Sequence, residues 1–203
     1  MALRTATRFA GTSRPPATRP PAAGKATLIG RAVVLALGSG KLVPIVIKVQ
    51  LLQARLREAP DAVASSWNGA DAYLKLMHAK QPALYRMLRQ AIMARRALLL
   101  IDGLDEGDTN RTEIERHILE VLAPQGHVML CTSRPAGVDE ARFAGFLQLQ
   151  LAPLTEGQQQ VALTQRLGEA GVEALMPSIE RMPADTETQQ RITANPLMLS
   201  MVA

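Results

Sequence analysis

The chain has 203 residues, of which 47% are hydrophobic and 20% charged, and this composition predicts a globular protein with one domain and a smaller second unit. Its single cysteine excludes an internal disulfide, and the sequence has no Cys/His cluster at the spacing of a zinc site. The net charge of +5 arises in residues 1–31, which hold six basic side chains and no acidic one. The near-neutral remainder therefore excludes a basic nucleic-acid-binding stripe.

The same features bear on cellular location. No apolar run approaches the roughly 20 residues that cross a bilayer, so no membrane span is predicted. A lone cysteine favours a reducing compartment, and we expect a cytoplasmic protein. The basic, acid-free N-terminus leaves an organellar address as the minor alternative, although its prolines confine a transit-type helix to the first dozen residues.

Residues 1–23 are rich in Arg, Ala, Thr and Pro and are expected to be irregular. Residues 8–19 have no β character, so no strand is predicted ahead of the first helix. Beyond them, apolar runs bounded by turn residues predict alternating helices and strands. The predicted helices are 26–37, 50–58, 72–95 with a break near Pro82, and 112–122, and the predicted strands are 43–49, 97–101, 127–132 and 147–151.

Strands that alternate with helices of this length predict an α/β domain whose mainly parallel sheet is covered by helices on both faces. The spacing of hydrophobic residues changes after Pro153, and no further strand is predicted there. Thr155 and Gln158 form the pattern of a capping box, which begins a helix. The expected organisation is an irregular basic segment at 1–23, an α/β domain with an incomplete first strand at 24–153, and the start of a helical subdomain at 154–203.

The apolar strand at 97–101 ends in the acidic residues Asp102, Asp105 and Glu106. In parallel α/β sheets, ligands collect at the carboxyl ends of the strands. Magnesium is a natural partner for Asp102, because the ion takes oxygen ligands and bridges carboxylates to phosphates. Asp105 or Glu106 would then orient and deprotonate the attacking water in phosphoryl transfer. The alternative is a strand that ends in a solvated acidic turn without a ligand.

Four motifs follow one another along the chain: DGLDE at 102–106, CTSRP at 131–135, QLQLAPLTEGQ at 148–158 and ANPLML at 194–199. In this order they resemble the NACHT family of P-loop signal-transduction NTPases, over roughly residues 24–203. The resemblance implies a P-loop NTPase-like α/β fold, followed by a small helical subdomain, that binds ATP or GTP together with Mg²⁺.

The resemblance also implies roles for individual residues. It gives the three acids of DGLDE the same metal and water-activating roles as the chemistry above. Arg134 would sense the γ-phosphate, positioned by Thr132 and Ser133, and the alternative is a surface arginine before a proline turn. Pro196 would pack against the nucleotide base, and its alternative role is to begin a helix.

The phosphate loop departs from the family pattern GxxxxGK[ST]. Gly24 and Lys25 match this pattern, and Thr27 offers a hydroxyl one position late. Arg19 replaces the first glycine of the pattern, and Ala26 lacks the hydroxyl. Pro20 and Pro21 remove two backbone amide donors. A second pair, Gly40 and Lys41, lacks both the spaced glycine and the hydroxyl and is interpreted as a helix-to-strand loop.

Three functions follow from the sequence. The first is a NACHT-type nucleotide-binding switch, with weak NTPase activity at most, whose nucleotide state controls self-association or contacts with other signalling proteins. The second is an interaction module or gene fragment that keeps the NACHT scaffold without turnover. The third and weakest is a basic address or anionic-surface tether at residues 1–31 attached to a purely structural remainder.

Overall fold

The structure is a computed structural model that describes residues 8–10, 24–59, 61, 66–134, 139, 141–149, 151–184 and 191–202. Its described residues fall into two compact units. The first unit comprises 8–10 and 27–149, and the second comprises 24–26 and 151–202. No helix in this described part is long and apolar enough to cross a membrane.

The first unit is built on a five-stranded sheet in which every strand pair is parallel. In chain order the strands are β1 Arg8–Ala10, β2 Val43–Lys48, β3 Ala97–Asp102, β4 Val128–Thr132 and β5 Leu147–Leu149. Their spatial order is β2-β3-β4-β1-β5. The predicted α/β class with a mainly parallel sheet is therefore confirmed.

Strand β1 corrects the expectation that residues 1–23 contain no strand. It pairs with β4 on one side and β5 on the other, with Phe9 opposite both Cys131 and Gln148. Two backbone ladders therefore stabilise a three-residue segment whose own β propensity is weak, since strand formation depends more on pairing than on intrinsic preference. The rest of the predicted irregular segment, 1–7 and 11–23, lies outside the described residues.

Helices occupy the chain between the strands. They are α1 Lys25–Ser39, α2 Val49–Glu58, α3 Gly69–Met77, α4 Pro82–Met93 and α5 Arg111–His117. The predicted break near Pro82 is confirmed, because Pro82 begins α4 at a position where its missing N–H costs no hydrogen bond. The predicted helix at 112–122 is present as α5 followed by one π-helical turn at Ile118–Leu122.

The core of the first unit follows the two-residue period of the strands. Ile45 and Ile47 of β2, Leu99 and Ile101 of β3, and Cys131 of β4 are all buried in it. Helix residues from α3, α4 and α5 complete the same core, namely Tyr73, Leu74, Leu88, Ile92 and Ile114. By contrast α1, predicted as a buried helix, buries only Ile29 and Ala36.

The second unit is helical, as predicted. Helix α6 spans Glu156–Glu180 and begins with the predicted capping box, in which Gln158 N–H donates to Thr155 Oγ1 and Thr155 N–H donates to Gln158 Oε1. A short 3₁₀ turn at Ile192–Ala194 leads into α7, Pro196–Val202. The core of the second unit consists of Leu163, Val172, Ile179 and Leu199.

Candidate nucleotide site at the carboxyl edge of the sheet

The predicted magnesium residue, Asp102, is the last residue of β3 and lies beside Thr132, the last residue of β4. Thr132 Oγ1 accepts the Gly103 N–H at 3.1 Å and donates to Asp102 Oδ1 at 2.6 Å. Because the amide can only donate, the single proton of the hydroxyl is committed to the carboxylate. Thr132, which is fully buried, thus fixes the orientation of Asp102.

The second acid, Asp105, lies at the start of a 3₁₀ segment, Leu104–Asn110, that follows β3 directly. Its Oδ1 accepts the Arg134 N–H at 2.9 Å and the Ser133 hydroxyl at 3.3 Å. Its Oδ2 lies 3.1 Å from Arg134 Nε. The residue proposed to activate water and the residue proposed to sense phosphate are therefore bonded to each other.

These contacts correct the predicted role of Thr132, one of the two residues that precede Arg134. Thr132 and Ser133 were expected to position the arginine, but Thr132 bonds to Asp102. The Ser133 hydroxyl has one proton for two acceptors, the backbone carbonyl of Arg134 at 3.0 Å and Asp105 Oδ1 at 3.3 Å. Both residues are buried at the end of β4, where carboxylates at and just after the end of β3 are within reach of their hydroxyls.

The third acid, Glu106, is exposed and lies over Gly103. A Cβ built on Gly103 would lie 2.9 Å from Glu106 Cδ, and the Gly103 φ of +80° is one that glycine adopts without strain. The Glu106 N–H donates to the Gly103 carbonyl at 2.9 Å, which closes the turn. Gly103 therefore gives Glu106 the space to fold back toward the strand end. Residues 102–106 are called the acidic loop below.

A buried ion network follows the acidic loop in the chain, and the sequence analysis missed it. Glu115 of α5 is 3% exposed and binds Arg111 Nε at 2.8 Å and Arg142 Nη1 at 3.0 Å. Gln53 of α2 donates its side-chain amide to the Gly107 carbonyl. The i,i+4 spacing of Arg111 and Glu115 was a usable signal, whereas nothing local connects Arg142 to them.

The predicted phosphate-binding residues lie at the first turn of α1. Gly24 has a φ of +81° and immediately precedes the helix, which Lys25 begins. Thr27 is exposed in the same turn. Within the second unit, a Cβ on Gly24 would lie 3.8 Å from Pro196 Cγ. The structure thus brings together two residues that the sequence assigned to separate motifs.

The donor set fits a magnesium ion held mainly by a phosphate ligand. Among the described residues there is no cluster of three or more His, Cys, Asp or Glu side chains that could hold a metal alone. No described residue hydrogen-bonds to Asp102 Oδ2, while Oδ1 is fixed by Thr132. One or two carboxylates completed by water and phosphate oxygens are the usual magnesium environment in proteins.

Burial disfavours the charged form of two titratable groups in the first unit. Burial raises the pKa of the Cys131 thiol, one residue before Thr132, to about 12. Burial, with a smaller contribution from the charge of Arg116, lowers the pKa of His117. His117 Nε2 accepts the Gly69 N–H at 3.2 Å, which requires that nitrogen to be unprotonated. Neither group is placed to transfer a proton at the strand ends.

A cavity of about 550 Å³ opens elsewhere in the first unit. Its floor is apolar, with Ile47, Ile101 and Ile114 among its lining residues, and Gln53 and His117 also line it. None of the acidic-loop residues and neither Thr132 nor Arg134 lines this cavity. The candidate nucleotide site is therefore distinct from it.

No protein-family model and no curated protein matches this chain. Among solved structures, it is similar to domain III of the Thermotoga maritima replication initiation protein DnaA, with a TM-score of 0.49, 16% identity, and coverage of 97% of this chain and 71% of that one. It is also similar to C. elegans PCH-2, with a TM-score of 0.41, 12% identity, and coverage of 98% and 51%. The chain thus spans about half the length of the PCH-2 structure, and neither likeness assigns a function.

Proposed function

We propose that this chain is a nucleotide-binding module that holds ATP or GTP with Mg²⁺ at the carboxyl edge of its parallel sheet. The observation that carries the proposal is the fixed carboxylate of Asp102, held at the end of β3 by the buried hydroxyl of Thr132. The carboxyl ends of parallel strands are where α/β folds bind ligands. With one carboxylate oxygen bonded to the buried hydroxyl, the other oxygen would be the one that binds the metal–phosphate ligand.

Each side chain contributes a distinct part of the proposed chemistry. Asp102 would hold magnesium, which when bound supplies positive charge that links the carboxylate to phosphate oxygens. Gly24, Lys25 and Thr27, at the first turn of α1, would bind phosphate through backbone amides, charge and a hydroxyl. Pro196 would pack against the base.

Two further roles complete the proposed phosphoryl-transfer machinery. Arg134 would approach the terminal phosphate, since a guanidinium offers several donors to its oxygen atoms. An acid of the acidic loop, Asp105 or Glu106, would orient and deprotonate the attacking water.

We further propose that the module is a NACHT-type signalling switch with weak NTPase activity at most. The ordered motifs DGLDE, CTSRP, QLQLAPLTEGQ and ANPLML support this assignment. In such a switch the nucleotide state would change the packing of the helical unit and thereby control self-association or contacts with other signalling proteins. Sedimentation with and without a non-hydrolysable triphosphate analogue tests this part, and an unchanged oligomeric state rejects it.

Nucleotide binding is tested by titrating ATP and GTP in the presence and absence of magnesium. We expect Asp102→Asn to abolish the magnesium-dependent part of binding, and Lys25→Ala to weaken binding by about tenfold or more, as loss of a phosphate-contacting charge does. Undetectable binding by the wild-type protein would reject the proposed function.

Two matched controls come from the chain itself. Lys41→Ala removes the lysine of the other Gly-Lys pair, which lies in the loop between α1 and β2. Glu113→Gln removes an exposed carboxylate that pairs with Arg116 at 3.6 Å. Both controls should bind nucleotide like the wild type. An equal loss in a control and its test variant would mean that the effect is one of overall charge.

The second candidate function is a NACHT-scaffold interaction module without turnover. Ala26 favours it, because this residue follows Lys25 in α1 and lacks the hydroxyl that a magnesium-bound phosphate loop uses. Binding of triphosphate without release of inorganic phosphate supports this second function, and measurable release excludes it.

A further inference from the structure

Asp105 and Glu106 are adjacent in the chain, but their surroundings differ. The Asp105 side chain is 11% exposed and contacts the segment that follows β4, whereas Glu106 is exposed over Gly103. We infer that Asp105 is a positioning residue that holds Arg134 for a terminal phosphate, and that Glu106 is the carboxylate that accepts the proton of the attacking water. The inference rests on the proposed function and assigns its two acidic roles.

The hydrogen bonds of Asp105 occupy both of its oxygen atoms. Oδ1 accepts the backbone N–H of Arg134 at 2.9 Å and the Ser133 hydroxyl at 3.3 Å, and Oδ2 faces Arg134 Nε at 3.1 Å. Each carboxylate oxygen of Asp105 therefore already faces a donor of Arg134, the backbone amide at Oδ1 and the cationic guanidinium at Oδ2. Such a carboxylate is suited to hold its partner in one conformation.

Arg134 is held at two points and remains open at its far end. Its backbone N–H and its Nε both bond to Asp105, while its side chain is 62% exposed. A guanidinium has five N–H donors in a rigid fork, so the Nε contact leaves the four donors of Nη1 and Nη2. Fixing the inner end of the fork reduces the conformational entropy that the outer end loses when it binds a phosphate.

Glu106 has an exposed side chain, whereas that of Asp105 is mostly buried. Its backbone is fixed by the bond from its N–H to the Gly103 carbonyl, while its carboxyl group packs on Gly103, one residue after Asp102. In hydrolysis the water oxygen bonds to the γ-phosphorus, and the bond from that phosphorus to the β,γ-bridging oxygen breaks. One water proton passes to the Glu106 carboxylate and then to solvent. The products are a nucleoside diphosphate and inorganic phosphate.

The test compares affinities for a non-hydrolysable ATP analogue and for ADP, both with magnesium. Arg134→Ala should reduce the preference for the triphosphate by about tenfold, and Asp105→Ala should reduce it by a similar factor, as loss of an outer-shell partner does. The double variant should lose no more than either single variant, because the two residues act as one unit. Glu106→Gln should keep the preference and lose phosphate release.

Asp105→Asn, which keeps the volume and one acceptor oxygen, repeats the measurement if Asp105→Ala does not fold by circular dichroism. Glu113→Gln is the control for loss of a carboxylate that pairs with an arginine, and it should keep the preference. Reduced preference in the Asp105 variant that folds, matched by Arg134→Ala, supports the inference, because a general base acts on turnover and not on the choice between triphosphate and diphosphate.

Three outcomes overturn the inference while nucleotide binding survives. In the first, Asp105→Ala keeps the wild-type preference but loses phosphate release, which makes Asp105 the proton acceptor. In the second, Asp105→Ala increases the preference, which means that the carboxylate competes with phosphate for Arg134. In the third, the wild type shows no preference for triphosphate. If the wild type binds neither nucleotide, the proposed function itself fails and this inference fails with it.

Discussion

The acidic loop and the first turn of α1 differ in how their chemistry is specified. In the acidic loop, Asp102 and Asp105 each have named hydrogen-bond partners on the neighbouring strand end. At the first turn of α1, Gly24 has a φ of +81°, but Ala26 carries no hydroxyl. The difference teaches that the acidic loop is specified by contacts between two strand ends, whereas the first turn of α1 lacks one side-chain group of the phosphate-loop pattern. The following predictions test each region, beginning with the largest effect.

Loss of the Glu115 ion network should have the largest effect on the free energy of unfolding. Glu115→Ala removes the shared partner of Arg111 and Arg142 and should lower the free energy of unfolding by about 2–3 kcal/mol. This value lies below that of a fully buried pair, because both arginines are one-third exposed and can reach water. Denaturant unfolding measures the change. The exposed neighbour Glu120→Ala should alter stability by less than about 0.5 kcal/mol, and an equal loss there would contradict the network.

The space that Gly103 gives to Glu106 can be tested with two alanine substitutions. Gly103→Ala and Gly126→Ala both place a Cβ at a positive φ, of +80° and +76°, and each should cost about 1–2 kcal/mol of stability. Only the Cβ at residue 103 meets another side chain, that of Glu106, since nothing lies within 4 Å at residue 126. Phosphate release should therefore fall only in Gly103→Ala. A similar fall in both variants would show that strain alone is responsible.

A single substitution in the first turn of α1 should raise nucleotide affinity. Ala26→Ser restores the hydroxyl that the phosphate-loop pattern has at this position, and it should raise magnesium-dependent nucleotide affinity about two- to tenfold, the value of one added hydrogen bond. Isothermal titration measures the change. Ala54→Ser, at an exposed site on α2, is the control and should leave affinity unchanged. No gain from Ala26→Ser would mean that this turn does not contact the metal–phosphate group.

Acidification should weaken the first unit without any substitution. Burial and Arg116 lower the pKa of His117 below its usual 6.5, and burial and Arg95 lower that of His127. Below pH 6.5 the unfolded chain therefore binds more protons than the folded one, so the stabilisation is present above that pH and is lost as the pH falls. Melting temperature should drop between about pH 7.5 and about pH 5.5. If the melting temperature of a His117→Gln variant falls as steeply with pH as that of the wild type, the effect belongs to other groups.

The sequence allowed most of the first unit to be predicted, because its strands are continuous apolar runs. The strand ends then placed Asp102, Asp105 and Glu106 at one edge. Strand β1 was missed because its stability comes from two pairing partners more than a hundred residues away along the chain. The ion pair of Asp105 with Arg134 was missed for a similar reason, since the local sequence does not determine which carboxylate the arginine contacts.

The lone cysteine of the chain offers a direct view of one strand. Cys131 is fully buried in β4, and its pKa of about 12 keeps the thiol protonated and unreactive near neutral pH. A thiol reagent can therefore modify it only when the strand opens, so the labelling rate reports the frequency of that opening. Because Thr132 is the next residue, slower labelling on addition of nucleotide would measure how strongly a ligand closes the strand end that holds Asp102.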